Sequence, residues 1–257
     1  MYTKPYTISP SAGKRLIAKA MLKINEIVEA LHNRTIVIVA GTTNGYIAEE
    51  MLSHIGQDEG FSKQRFFRGI TLPPRYKVHQ SGRLEDGGTF TGDVVIQKGK
   101  WLKDKTLFEI VNDLQEGDII LKGANAVNCE TKQAAVLIGH PQAGTIGVIM
   151  QAVAGRRVKL YIPVGLEKRI SGNINELAQI INPPQSSGVR YFPVTGTIIT
   201  QLEAINILTG AQAHLFAAGG VSGAEGSIWI AVTGTEEQLN QADEIIKEIR
   251  QEPNFIV

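Results

Sequence analysis

The chain has 257 residues, 43% of them hydrophobic and 20% charged, enough apolar material for one large α/β domain or for such a domain with a small module beside it. Its 26 basic residues balance 25 acidic ones, with no run of three Lys or Arg, which speaks against a nucleic-acid or membrane-surface binder driven by bulk charge. The single cysteine, Cys129, leaves no internal disulfide, and with no signal peptide or long apolar run the expected location is the cytoplasm, with no membrane partner.

Met1 to Ser9 reads as a polar lead-in. Ser9-Pro10-Ser11 then opens a helix, with a capping serine and a proline in the first turn. Leu16, Ile17, Met21, Ile24, Ile27, Val28 and Leu31 recur at three- and four-residue spacing, predicting one amphipathic helix of about six turns. Thr35 to Ala40 is a β-branched apolar run, the mark of a strand buried on both faces of a parallel sheet. Gly41 ends it, and Ile47, Ala48, Met51, Leu52 and Ile55 restart the helical period.

Strand followed by turn and helix then recurs. Asp118 to Leu121 runs into Lys122-Gly123-Ala124-Asn125, and Val158 to Ile162 runs into Pro163-Val164-Gly165. Gly144-Thr145-Ile146-Gly147 opens a helix, while Ala134 to Ile138 and Arg65 to Thr71 are further strand candidates. Gly82 to Trp101, punctuated by glycines, reads as a β-hairpin or meander at one edge. Such serial units predict an α/β fold with a doubly wound, mostly parallel sheet and a hairpin insertion.

Pro183 to Gly188 reads as a linker after an α/β ligand-binding domain spanning residues 1–182. Residues 189–257 follow as strand, helix, strand, strand, helix and a short tail strand, Asn254 to Val257. That order predicts a small C-terminal ferredoxin-like α+β domain.

Candidate site residues fall in the loops after the strands. Gly41-Thr42-Thr43-Asn44 is an anion cradle at a helix N-terminus or a plain N-cap. Lys122 and Gly123 with Asn125 and Asn128 form a second segment: Lys122 would neutralise an anion and the two amides orient a ligand, or the segment is a polar turn. Gly144-Thr145 gives a third close backbone approach, and His140 just before it is a general base or a surface histidine. Glu167 and Lys168 close the set, with Glu167 the acid/base or nucleophile candidate or one partner in a salt-bridged turn. The five histidines and Cys129 show no metal-ligand spacing, and no dinucleotide, P-loop or serine-hydrolase motif occurs, so no cofactor is expected.

Gly41-Thr42-Thr43 with Ile47-Ala48 and Leu52 resembles the sugar-phosphate loop of the superfamily containing ribose-phosphate isomerase, glucosamine-phosphate deaminase, CoA transferases and DeoR-type effector domains. Gly123 to Asn128 is similar to that superfamily's Gly-Ala-Asp-(x)-(x)-Asp segment. Gly144-Thr145 and Pro163-Val164 resemble its methylthioribose-phosphate isomerase branch. The likeness spans roughly residues 14–170 and implies binding of a phosphorylated sugar or CoA ester at the carboxyl edge of the sheet. Asn125 and Asn128 stand where the isomerases carry catalytic carboxylates, and an amide is no general base. Two expectations follow: an isomerase or transferase acting through Glu167, or a non-catalytic metabolite sensor or assembly subunit. The expected partners are a small anionic metabolite and further copies of the chain, with no nucleic acid.

Overall fold

The computed structural model of the chain describes residues 1–69, 72, 77 and 92–256. The first half runs β1 (Tyr2–Ile8), α1 (Pro10–Met21), α2 (Asn25–Asn33), β2 (Thr35–Ile38), α3 (Thr42–His54), β3 (Val94–Gln97), β4 (Lys100–Trp101), α4 (Leu107–Ile110) and β5 (Ile119–Leu121). Next come β6 (Ala126–Asn128), β7 (Gln133–Ile138), α5 (Gly144–Arg156), β8 (Lys159–Pro163) and α6 (Ile174–Ile181). The last elements are β9 (Arg190–Val194), β10 (Thr197–Ile199), α7 (Gln201–Thr209), β11 (Gln212–Ala218), β12 (Ile228–Gly234) and α8 (Glu236–Ile249).

A mixed, mostly parallel sheet of six strands lies at the centre, in the order β10-β8-β5-β2-β3-β4. The first four strands are parallel, and β3 and β4 fold back as an antiparallel hairpin at the β2 edge. The remainder of the expected hairpin region, residues 82–91, lies outside the described residues. Successive side chains along β2 enter different cores: Ile36 and Ile38 face α1, α2 and α3, whereas Val37 and Val39 face α4 and α5. A strand flanked by helices on both faces needs an unbroken apolar run, which is why Thr35–Ala40 carries one. Asp118 ties the amino end of this strand to its neighbour, accepting from Thr35 N–H through Oδ1 and from Gln115 N–H through Oδ2, both at 2.8 Å.

Several expectations need correction. The long first helix is two, α1 and α2, separated by Leu22-Lys23-Ile24. No proline or glycine marks the break, and the apolar spacing continues across it. Helix α1 is buried almost all round between α3, α7 and α8, so the chain turns there to bring α2 onto the sheet. Residues 65–69 form no strand; Lys63–Arg65 is a single 3-10 turn, and residues 70 and 71 lie outside the described residues. Ala126–Asn128, read as loop, is a strand paired with β7. That pair lies in a separate antiparallel sheet, β6-β7-β9.

The segment after the linker does not build the predicted ferredoxin-like βαββαβ order. β9 pairs with β7, β10 joins the edge of the central sheet beside β8, and β11-β12 pair instead with the N-terminal β1. Residues 189–257 therefore contribute to all three sheets, and residues 254–256 form no strand. The first nine residues are no lead-in: all seven of Tyr2–Ile8 pair with β12, with Tyr6 and Ile8 buried. Burying those side chains offsets the cost of ordering a strand across the whole length of the chain.

Gly196 sits where the chain passes from β9 to β10. A Cβ there would lie 2.7 Å from the Leu160 carbonyl oxygen and 3.0 Å from Ile162 Cδ1, so β8 or the crossing must move. Gly196→Ala should destabilise the fold by about 1–3 kcal/mol, seen as a lower urea midpoint with an unchanged m-value.

Among the described residues no helix is long and apolar enough to cross a membrane.

Candidate functional site

Because β2, β5 and β8 are parallel neighbours, their carboxyl ends open on one edge of the sheet, where open α/β sheets bind ligands. A cleft of about 500 Å³ lies there. Its walls are the chain leaving β2 (residues 40–44), the chain leaving β5 (residues 122–125), the β7–α5 connection and the side chains of Arg68, Phe108 and Lys168. Gly41, Thr42, Thr43, Asn44, Lys122, Gly123, Asn125, Gly144, Thr145 and Lys168 all line this one cleft, as does His140.

Two helices begin at the cleft, and among the described residues no side chain caps either first turn. At α3 the preceding residue is Gly41, which has no oxygen to offer, and the first intrahelical bond is Gly45 N–H to the Gly41 carbonyl at 2.8 Å. At α5 the preceding residue is Ala143, held in left-handed backbone at φ 59°, which costs a residue with a Cβ about 1–2 kcal/mol. Both helices thus direct unpaired N–H groups and the positive ends of their dipoles into the same space.

Buried polar atoms reinforce this. Thr43 is 3% exposed, and among the described residues its hydroxyl has no hydrogen-bond partner. Asn44 is wholly buried; its amide nitrogen donates to the carbonyls of Val39 (2.7 Å) and Leu121 (3.0 Å) and pins together the ends of β2 and β5 beneath the cleft. Its side-chain oxygen is unpaired.

Three cations surround the space: Lys122, Lys168 and Arg68. The Lys122 ammonium has no hydrogen bond or ion pair among the described residues. Burial pushes its pKa down to about 8; attraction by Asp93 opposes this, and repulsion by Lys168 and Arg68 adds to it. Lys168 is lowered too, by burial first, with Glu167 opposing and Lys14 adding; its Nζ donates to the Ala124 carbonyl at 2.9 Å. Asp93 is occupied elsewhere: Oδ1 accepts from Ala40 N–H (2.9 Å) and faces Arg68 Nη2 (3.4 Å), and Oδ2 accepts from Leu107 N–H (3.0 Å).

Two residues singled out from the sequence lie elsewhere. Glu167 does not line the cleft; it is paired with Lys14 at 3.3 Å on the α1 side. Leu166–Lys168 is a 3-10 turn, in which adjacent side chains diverge by about 120°, so Lys168 reaches the cleft while Glu167 turns away. Asn128 anchors the β6–β7 turn, accepting from Glu130 and Thr131 N–H and donating to the Gly172 carbonyl. Asn125 lines the cleft, but its oxygen is already held by Leu137 N–H at 3.0 Å. Arg68, Asp93 and Phe108 were not legible as site residues. Asp93, a lone charge opening an apolar strand, is the one local feature from which a buried carboxylate could have been inferred.

A second cavity, of about 650 Å³, is lined in part by Asn128, Cys129, Lys132, Glu203 and His214. Glu203 is spent on the capping box of α7, and burial pushes the Cys129 thiol pKa up, which makes it a poor nucleophile. Among the described residues no group of three or more His, Cys, Asp or Glu is placed to hold a metal ion.

Fold and site together define a mixed α/β protein with a cation-lined cleft at the carboxyl edge of its central sheet. No protein-family model matches the chain, and no curated protein or solved structure matches it significantly.

Proposed function

We propose that the cleft binds a phosphorylated sugar or another small anionic metabolite. The observation that carries this reading is convergence: two helix N-termini without a side-chain cap and the cations Lys122, Lys168 and Arg68 line one cleft, while the Asp93 carboxylate is engaged by Ala40, Leu107 and Arg68. Such an arrangement is costly for the empty protein, because like charges are held together, and an anion relieves it. A volume of about 500 Å³ suits a phosphorylated sugar; a CoA ester would fill it with one end and extend outward. The motif likeness to sugar-phosphate isomerases and CoA transferases favours the same ligand class.

An isomerase acting through a carboxylate base finds little support, since Glu167 faces away and Asn125 and Asn128 are amides. The engaged state of Asp93 favours a second reading, a non-catalytic sensor of the same metabolite.

Inorganic phosphate, sugar phosphates and acyl-CoA compounds should each be screened by thermal shift; a ligand at 100 times its Kd adds about 2.7 kcal/mol. Thr42→Glu is the informative variant. A carboxylate in the first turn of α3 occupies the free N–H groups and stabilises the helix by about 0.3–1 kcal/mol. The unliganded protein should melt no lower than the parent, while the shift with anions disappears. If no anionic compound moves the parent's melting temperature, the reading fails.

A further inference from the structure

We propose that Lys122 is an imine-forming amine, and that the ligand of the cleft is a phosphorylated aldehyde or ketone whose carbonyl carbon is placed against Lys122 Nζ. This rests on the anion-binding reading above and adds a division of labour among the cations. The two helix starts, Arg68 and Lys168 already offer a phosphate N–H donors and positive charge. Lys122 is then left over: it follows the central strand β5 into the cleft lining, and among the described residues no carboxylate pairs with its ammonium.

Lysines with these surroundings, desolvated and beside other cations, are the ones that act as amine nucleophiles. The groups that bear on Lys122 are Asp93, which favours its charged form, and Lys168 and Arg68, which oppose it. With a pKa of about 8, Lys122 at pH 7.5 carries a free-amine fraction roughly two orders of magnitude above that of a surface lysine near 10.4.

The step balances without any further reagent. The Nζ lone pair forms a bond to the carbonyl carbon while the C–O π pair moves to oxygen, which takes up the proton released from nitrogen. Protonation of the resulting hydroxyl expels it as water and leaves a protonated imine. Summed from the ammonium form, amine and carbonyl give iminium and one water, with no redox change and no net proton.

Pyridoxal 5′-phosphate, an aldehyde carrying a phosphate, is the probe. The full chain is treated with it at substoichiometric amounts and pH 7.5, reduced with sodium cyanoborohydride, and the labelled lysines are located by peptide mass spectrometry. Label is expected at Lys122 at least about tenfold faster than at any other lysine, slowed by inorganic phosphate and slow with unphosphorylated pyridoxal. Lys122→Arg, which keeps the charge but has no free amine, should lose this label. If phosphate still shifts the melting temperature but label goes to Lys168 or spreads over exposed lysines, the imine is overturned and the anion site stands. If pyridoxal labels Lys122 as fast as its phosphate ester, and phosphate neither competes nor shifts the melting temperature, both are overturned.

Discussion

Asp93→Ala should lower folding stability by about 3–5 kcal/mol and abolish the response to anions. The Asp93 side chain is fully buried and serves three groups at once: Ala40 N–H at the end of β2, Leu107 N–H at the start of α4, and the Arg68 guanidinium. Alanine leaves two buried backbone donors without acceptors and Arg68 without its counter-charge. Those donors belong to the chain that runs into Gly41 and to the helix that carries Phe108, so both walls of the cleft loosen together. Asp93→Asn keeps the shape and one acceptor but sets an amide N–H against a backbone donor, so it should fall between parent and alanine. Urea denaturation gives the stabilities, and thermal shift with phosphate gives the binding. Parent-like stability in Asp93→Ala would mean that these bonds hold nothing in place.

Arg15→Met should cost about 2–4 kcal/mol at pH 7, somewhat less than a fully buried pair because some of its partners retain solvent. Arg15 joins α1 to α3 and to the C-terminal segment: Nε contacts Glu252 at 2.8 Å, Nη1 contacts Glu50 at 2.8 Å, and Nη2 pairs with Glu49. Its guanidinium also lies 5.0 Å from the centre of the buried Tyr46 ring. Lys63 supports the same carboxylates, at 2.9 Å from Glu49 and 3.2 Å from Glu252. Burial pushes the Glu252 pKa up, but hydrogen bonds and charge from Arg15 and Lys63 outweigh it, and the net value lies below the ordinary glutamate. A carboxylate lowered in the folded state contributes stability above its unfolded pKa of about 4.3, and that contribution is lost as pH falls through the lower folded value. The gap between parent and Arg15→Met should therefore be widest near neutral pH and narrow below about pH 4. Urea midpoints at the two ends of that range check it, and a gap that stays constant with pH would remove the carboxylates from the account.

Much of the lining of the cleft was legible because the loop residues after buried parallel strands all arrive at the same edge. Gly41 to Asn44, Lys122, Gly123, Asn125, Gly144, Thr145 and Lys168 needed only the strand-turn-helix pattern to be grouped. Glu167 and Lys168 show the limit of that reasoning. They are adjacent in sequence, yet the pitch of one 3-10 turn sends the first toward Lys14 and the second into the cleft. Arg68 and Phe108 carry no motif. Arg68 follows Phe66, whose carbonyl accepts from Gly41 N–H at 3.1 Å, a contact between segments 25 residues apart that no local pattern encodes.

The apolar run of β2, the glycine that ends it and the periodic helices after it are local facts, set by backbone sterics and by which faces must be covered. They were enough to determine, from the sequence alone, a mixed α/β chain with a mostly parallel sheet and loops gathered at its carboxyl edge. Strand partnership was decided only by the tertiary structure. β1 pairs with β12 across more than 200 residues, while β9 and β10, contiguous in sequence, enter different sheets. Pairing is chosen by which apolar faces can be buried together once the helices are in place, and alternation along a strand is the same whichever neighbour it finds.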